Sequence, residues 1–135
     1  MKSKLNILII DNTQSKVDNI SDALKSIASD HDNDIEIVYK GAIKSAVHHM
    51  YYETKTKYDF IFLDILLPVS ENDRFSNVIE GCGRILREMQ RRKDNTPVIL
   101  CISNDFGRID YGNIISIIHY DDSVYLRPLM EQIIL

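Results

Sequence analysis

The sequence predicts a doubly wound α/β domain: a five-stranded parallel sheet with helices on both faces. Short, nearly unbroken apolar runs alternate with longer stretches whose apolar residues recur at helical spacing. Polar residues able to do chemistry stand where the apolar runs stop, at the edge where such a sheet keeps its ligand crevice.

The first run, Leu5 to Ile10, is apolar almost throughout, as expected of a strand covered on both faces. From about Thr13 to Ser29 the apolar residues Val17, Ile20, Leu24, Ile27 and Ala28 predict an amphipathic helix. Ile35 to Tyr39 is a second strand, and Gly41 opens a second helix with Ile43, Ala46, Val47, Met50 and Tyr51 on one face. Phe60-Ile61-Phe62-Leu63 is the third strand and ends at Asp64. A polar connection from Val69 to about Asn77 leads to a third helix, with Val78, Cys82, Ile85, Leu86 and Met89 inward. Pro97 precedes the fourth strand, Val98 to Ile102. Ile114 to Ile118 fits a helix or a strand, and the βα alternation favours helix. Ser123 to Leu126 then becomes the fifth strand, followed by a short terminal helix.

At 135 residues the chain fits one domain over 1–135. Its 44% hydrophobic and 27% charged residues are those of a globular protein. No apolar run reaches the ~18 residues of a bilayer span, and the apolar run after the basic start stops at Asp11, too early for a secretory leader. The expected location is the cytoplasm. Cys82 and Cys101 form no metal-ligand pattern and read as buried small hydrophobes. A net charge of −4 argues against direct nucleic-acid binding. The basic cluster Arg91-Arg92-Lys93 sits at a helix end, where it complements the dipole. Adjacent His48 and His49 point about 100° apart on a helix and make a poor metal pair.

Strand ends supply the candidate site. Asp11 and Asn12 close the first strand, Asp64 the third, Ser103 and Asn104 the fourth, and Arg127 follows the fifth. Asp64 interrupts one of the most apolar stretches of the chain, where an ionised carboxylate costs several kcal/mol (roughly, after relaxation) without a cation beside it. Asp11 stands just before a helix, so it reads as a cap, as a metal-binding carboxylate, or as both.

Ile7-Leu8-Ile9-Ile10-Asp11, then Phe60-Ile61-Phe62-Leu63-Asp64 with Leu67-Pro68, then Pro97-Val98-Ile99-Leu100 ending in Ser103, then Arg127-Pro128, resemble a response-regulator receiver domain over nearly the whole chain. The resemblance implies a flavodoxin-like sheet of strand order 2-1-3-4-5. It implies a phosphoryl group received by Asp64 from a histidine kinase or phosphotransfer protein. It implies Mg²⁺ held by Asp11, Asn12, Asp64 and the Leu66 carbonyl, phosphoryl contacts from Ser103 and Arg127, and a signalling role rather than an enzyme's. With no DNA-binding segment after the last helix, the implied output is contact with a downstream protein, or a phosphorelay step.

The sequence also departs from the family. Asn12 stands where a second acidic residue is usual, so one negative charge is gone. Arg127 matches an invariant lysine, a swap that is not conservative. Ser103 lies one residue beyond the expected hydroxyl position, which falls on Ile102. The 69–77 connection, with Glu71, Asp73 and Arg74, is long for the family and should hang over the same strand ends. These departures support a second reading: a pseudo-receiver with the same fold, acting as a binding module without phosphorylation. An enzyme on a similar sheet fits less well. A haloacid-dehalogenase-type phosphatase wants an Asp where Thr13 stands, and a flavin-phosphate cradle wants a glycine that 11–15 lacks.

Overall fold

The computed structural model describes residues 4–54, 56–64, 67–68, 81–102, 114–119 and 131. In chain order its elements are β1 (Lys4–Ile10), α1 (Gln14–Asp30), β2 (Asp34–Lys40), α2 (Ile43–His48), β3 (Phe60–Asp64), α3 (Gly81–Arg91), β4 (Val98–Ile102) and β5 (Ile114–His119). A π-helical turn, His49–Glu53, continues α2. The five strands form one sheet in the order β2-β1-β3-β4-β5, and every pair is parallel. The predicted fold class and strand order are those of the molecule.

Side chains of a strand alternate between faces, and the core divides accordingly. Ile7, Ile9, Phe62, Ile99 and Cys101 pack against Val17, Ile20, Leu24 and Ile27 of α1. Leu8, Ile10, Ile61, Leu63, Val98 and Leu100 pack on the opposite face against Ile43 and Ala46 of α2 and Cys82, Ile85, Leu86 and Met89 of α3. Both faces are apolar because both are covered, and this is why the central strands read as unbroken apolar runs. Both cysteines are buried and free. Burial pushes the Cys101 thiol well above its ordinary pKa, so it stays protonated and unreactive.

One element corrects the sequence reading. Residues 114–119 are the edge strand β5, not a helix. Their register on β4 slips between Val98 and Ile99, which pair with Ile114 and Ser116, and the bulged Ile115 is exposed. Helical period and strand period predict similar burial over so short a run. The deciding factor is the open edge of β4, whose backbone groups a strand satisfies and a helix does not. β5 is described as far as His119. The expected strand at 123–126, the Val69–Asn77 connection and Val78 lie outside the described residues, as does the terminal helix apart from Glu131.

A polar cluster ties the π-helical turn after α2 to the end of α3. The Arg92 guanidinium lies 4.3 Å from the Tyr51 ring centroid and 5.3 Å from that of Tyr52. It donates to Glu88 Oε1 at 2.7 Å and to the Tyr52 hydroxyl at 2.9 Å. Arg91 pairs with the same Glu88. The Tyr51 hydroxyl donates to Asp94 Oδ2 at 2.9 Å, while Asp94 Oδ1 accepts from the Thr96 amide and hydroxyl at 3.1 and 2.7 Å. The basic cluster thus closes α3 and staples it to the π-helical turn. His48 and His49 diverge as their spacing predicts: His48 stacks on Tyr52, and His49 hydrogen-bonds the Tyr58 hydroxyl.

Candidate functional site

Asp11 and Asp64 are neighbours because their strands are. β1 pairs with β3 so that Ile10 faces Leu63, and the next residue on each chain is the aspartate. The Asp11 amide donates to the Lys40 carbonyl at 3.1 Å, carrying the β1–β2 pairing one residue further. Asp11 Oδ1 then accepts the Thr13 amide at 2.9 Å, a turn that delivers the chain to the N-cap of α1. The helix-entry role and the site role of Asp11 belong to different oxygens of one carboxylate. The Pro68 carbonyl, four residues beyond the end of β3, accepts the Ile43 amide at 3.0 Å, tying the chain there to the start of α2.

The cation that Asp64 requires is a lysine of the same chain. Lys16 Nζ lies 3.0 Å from Asp11 Oδ2 and 3.1 Å from Asp64 Oδ1. All three residues are buried, with relative exposures of 1% for Asp11, 6% for Lys16 and 9% for Asp64. Burial on its own would lower the Lys16 pKa, but the charges of Asp64 and then Asp11 outweigh it and raise the group above an ordinary lysine. Asp11 Oδ2 accepts no well-aligned hydrogen bond, so its contact with Lys16 is ionic.

Lys16 sits in the first turn of α1, which begins at Gln14 and carries no acidic residue there. A cation at the positive end of a helix is unfavourable by itself, and a buried one more so. Two facing carboxylates account for its being there. The sequence reading missed this residue, although a signal was present. Lys16, Ile20, Leu24 and Ile27 are spaced by four, four and three, which places the lysine on the buried stripe.

Lys16 decides whether the site fits Mg²⁺. Two buried carboxylates, one with an oxygen lacking a hydrogen bond, are suitable donors. But Mg²⁺ needs oxygens at about 2.0–2.1 Å in an octahedron, and the ammonium already lies against one oxygen of each carboxylate. Asn12 is exposed and takes no part in the cluster. Among the described residues no group of three or more His, Cys, Asp or Glu side chains gathers. With Lys16 in place, the described residues do not fit Mg²⁺. Of the other residues singled out, Leu66, Ser103, Asn104 and Arg127 lie outside the described residues.

No family model matches the sequence, and no curated protein does. Solved structures do. The chain is similar to the phosphorylated cyanobacterial phytochrome response regulator RcpA, at 15% identity and a TM-score of 0.66, over 97% of this chain and 91% of that one. It is similar to the Mn²⁺-bound response regulator Rcp1, at 14% identity and 0.65, over 93% and 91%. A fragment assigned as a lipoprotein of Peptoclostridium difficile 630 matches at 15% and 0.62, over 99% and 100%. The fold is that of a response-regulator receiver. Among the described residues no helix is long and apolar enough to cross a membrane.

Proposed function

We propose that this chain is a cytoplasmic receiver-type signalling module, a single domain over 1–135, in which Asp64 accepts a phosphoryl group. The observation carrying this reading is the position of Asp64: a buried carboxylate closing β3, beside Asp11, with Lys16 against it. A carboxylate is a nucleophile of the type that forms acyl phosphates. One of its oxygens bonds to phosphorus while the P–N bond of a donor phosphohistidine breaks, and the departing imidazole takes a proton from water. The donor is a histidine kinase or a phosphotransfer protein. The acyl phosphate then competes for Lys16, and Ser103 and Arg127 are the proposed contacts for its oxygens. That redistribution of charge biases a protein-binding surface between two states. The resemblance also assigns Mg²⁺ to Asp11, Asn12, Asp64 and Leu66, but Lys16 stands against it, and the proposed transfer uses no divalent ion.

Acetyl phosphate tests the assignment. Intact-mass measurement should show a phosphoryl adduct on the wild-type chain and none on Asp64→Asn, and equal labelling of both would refute the site. A second reading, the unphosphorylated binding module, is favoured by the ion pairs that Lys16 already makes with both carboxylates. Absence of any adduct on the wild type under saturating donor would select it.

A further inference from the structure

We propose that Lys16 is the resident cation of this site, standing where a divalent ion would otherwise neutralise Asp11 and Asp64. The inference rests on reading Asp11 and Asp64 as the functional pair, but not on phosphorylation. Three observations carry it. The ammonium contacts one oxygen of each carboxylate, at 3.0 and 3.1 Å, and so lies between them. It comes from the first turn of α1, where helix dipole and burial both disfavour a cation, so its placement follows from the carboxylates and not from the helix. And Asp11 Oδ2, fully buried, accepts no well-aligned hydrogen bond. It is an oxygen set up for an ionic partner, and Lys16 supplies it.

Asn12 carries no charge, so among the described residues the cluster holds two carboxylates against one ammonium. An ammonium tethered to a helix does not dissociate when metal is scarce. The wild-type site therefore stays partly neutralised whatever the divalent concentration, and removing the lysine should convert the pair into a metal site.

Mn²⁺ titration followed by thermal unfolding and by paramagnetic broadening tests this without reference to phosphorylation. The wild-type chain should show no saturable Mn²⁺ effect dependent on Asp11. Lys16→Met should bind Mn²⁺ at least roughly tenfold more tightly, equivalent to about 1.4 kcal/mol, and lose that gain when Asp11→Asn is added. Should Lys16→Met be unfolded without metal, refolding on addition of Mn²⁺ supports the proposal equally. Lys16→Gln, which keeps bulk and hydrogen bonding but not charge, should behave alike. Asp11-dependent Mn²⁺ binding by the wild type as tight as by the variants would overturn it, as would variants that gain no binding. These outcomes are separate from the acetyl phosphate result: a chain that is never phosphorylated can still pass.

Discussion

Two clusters of charge, one at the sheet edge and one on the helical surface, use the same chemistry in different surroundings. Lys16 with Asp11 and Asp64 is largely buried, Asp64 keeping the most exposure at 9%. Arg92 with Glu88, Tyr51 and Tyr52 bridges α2 and α3 at the surface, with more hydrogen bonds and aromatic contacts but with water nearby. Counting contacts would rank the surface cluster as the stronger. Desolvation reverses the order, because removing one member of a buried ion cluster strands the others without water, whereas a surface group exchanges a partner for solvent.

The largest effect should follow from breaking the buried cluster at its cation. Lys16→Met leaves two carboxylates facing each other out of water and should destabilise the chain by about 3–5 kcal/mol in metal-free denaturant titrations. Removing all three charges together is expected to restore most of the loss. In Asp11→Asn/Lys16→Met/Asp64→Asn no stranded charge remains, and the amide side chain put in place of Asp11 keeps an oxygen for the Thr13 amide. A triple variant as unstable as the single one would show that the cluster contributes through packing rather than charge.

Alkaline pH probes the same cation without mutation. The folded pKa of Lys16 is raised above its ordinary 10.5, so its contribution is complete below that value and is lost as pH rises through the folded pKa. Buried tyrosines also titrate in this range, so the informative quantity is the stability difference between the wild type and Lys16→Met. It should be flat from neutrality to about pH 10 and shrink above 10.5. A difference unchanged at high pH would mean that the ammonium charge is not what stabilises the site.

How much of this the sequence carried depends on whether one strand or two chain segments decided a feature. The central strands were legible because covering both faces leaves an unbroken apolar signature. Asp64 was legible for the same reason: a carboxylate inside Phe60 to Leu67 has to find a cation. Which cation was not legible from that stretch alone, because the answer lies in α1. A lysine in a helix ordinarily reads as part of the solvated face, and only its place on the Ile20–Leu24–Ile27 stripe says otherwise. Asn12 and Lys16 also belong together. In the family resembled, two acidic residues beside the phosphoacceptor match a divalent ion. On the proposal above, Asn12 leaves one acid fewer and Lys16 supplies one positive charge in place of two, so among the described residues both sides of the balance fall by one. The β5 error had another origin, since four isoleucines in 114–118 carry no period, and the vacant edge of β4 is visible only in three dimensions.

An intermediate effect is expected where the surface cluster reaches inward. Tyr51 is half-buried, and burial first, then its hydrogen bond to Asp94, pushes its phenol well above the ordinary value. Tyr51→Phe removes the donor from Asp94 Oδ2 but leaves the two Thr96 contacts on Oδ1. The loss should be about 1 kcal/mol, and a double-mutant cycle with Asp94→Asn should recover most of it as coupling.

The smallest effect belongs to Glu88, despite its two arginine partners. The hydrogen bonds from Arg91 and then Arg92 hold its carboxyl at about 2, well below the ordinary 4.5. A lowered folded pKa means a contribution present above 4.5 and lost as pH falls towards 2. Yet the group is solvated, so long side chains are ordered for an attraction that water and salt screen. Glu88→Gln should therefore shift thermal unfolding slightly at neutral pH in low salt and not at all in molar salt, while Arg92 keeps its stacking on Tyr51. A loss approaching that of Lys16→Met, or one that salt does not reduce, would show that the α2–α3 contact excludes water as the sheet edge does, and the contrast between the two clusters would fail.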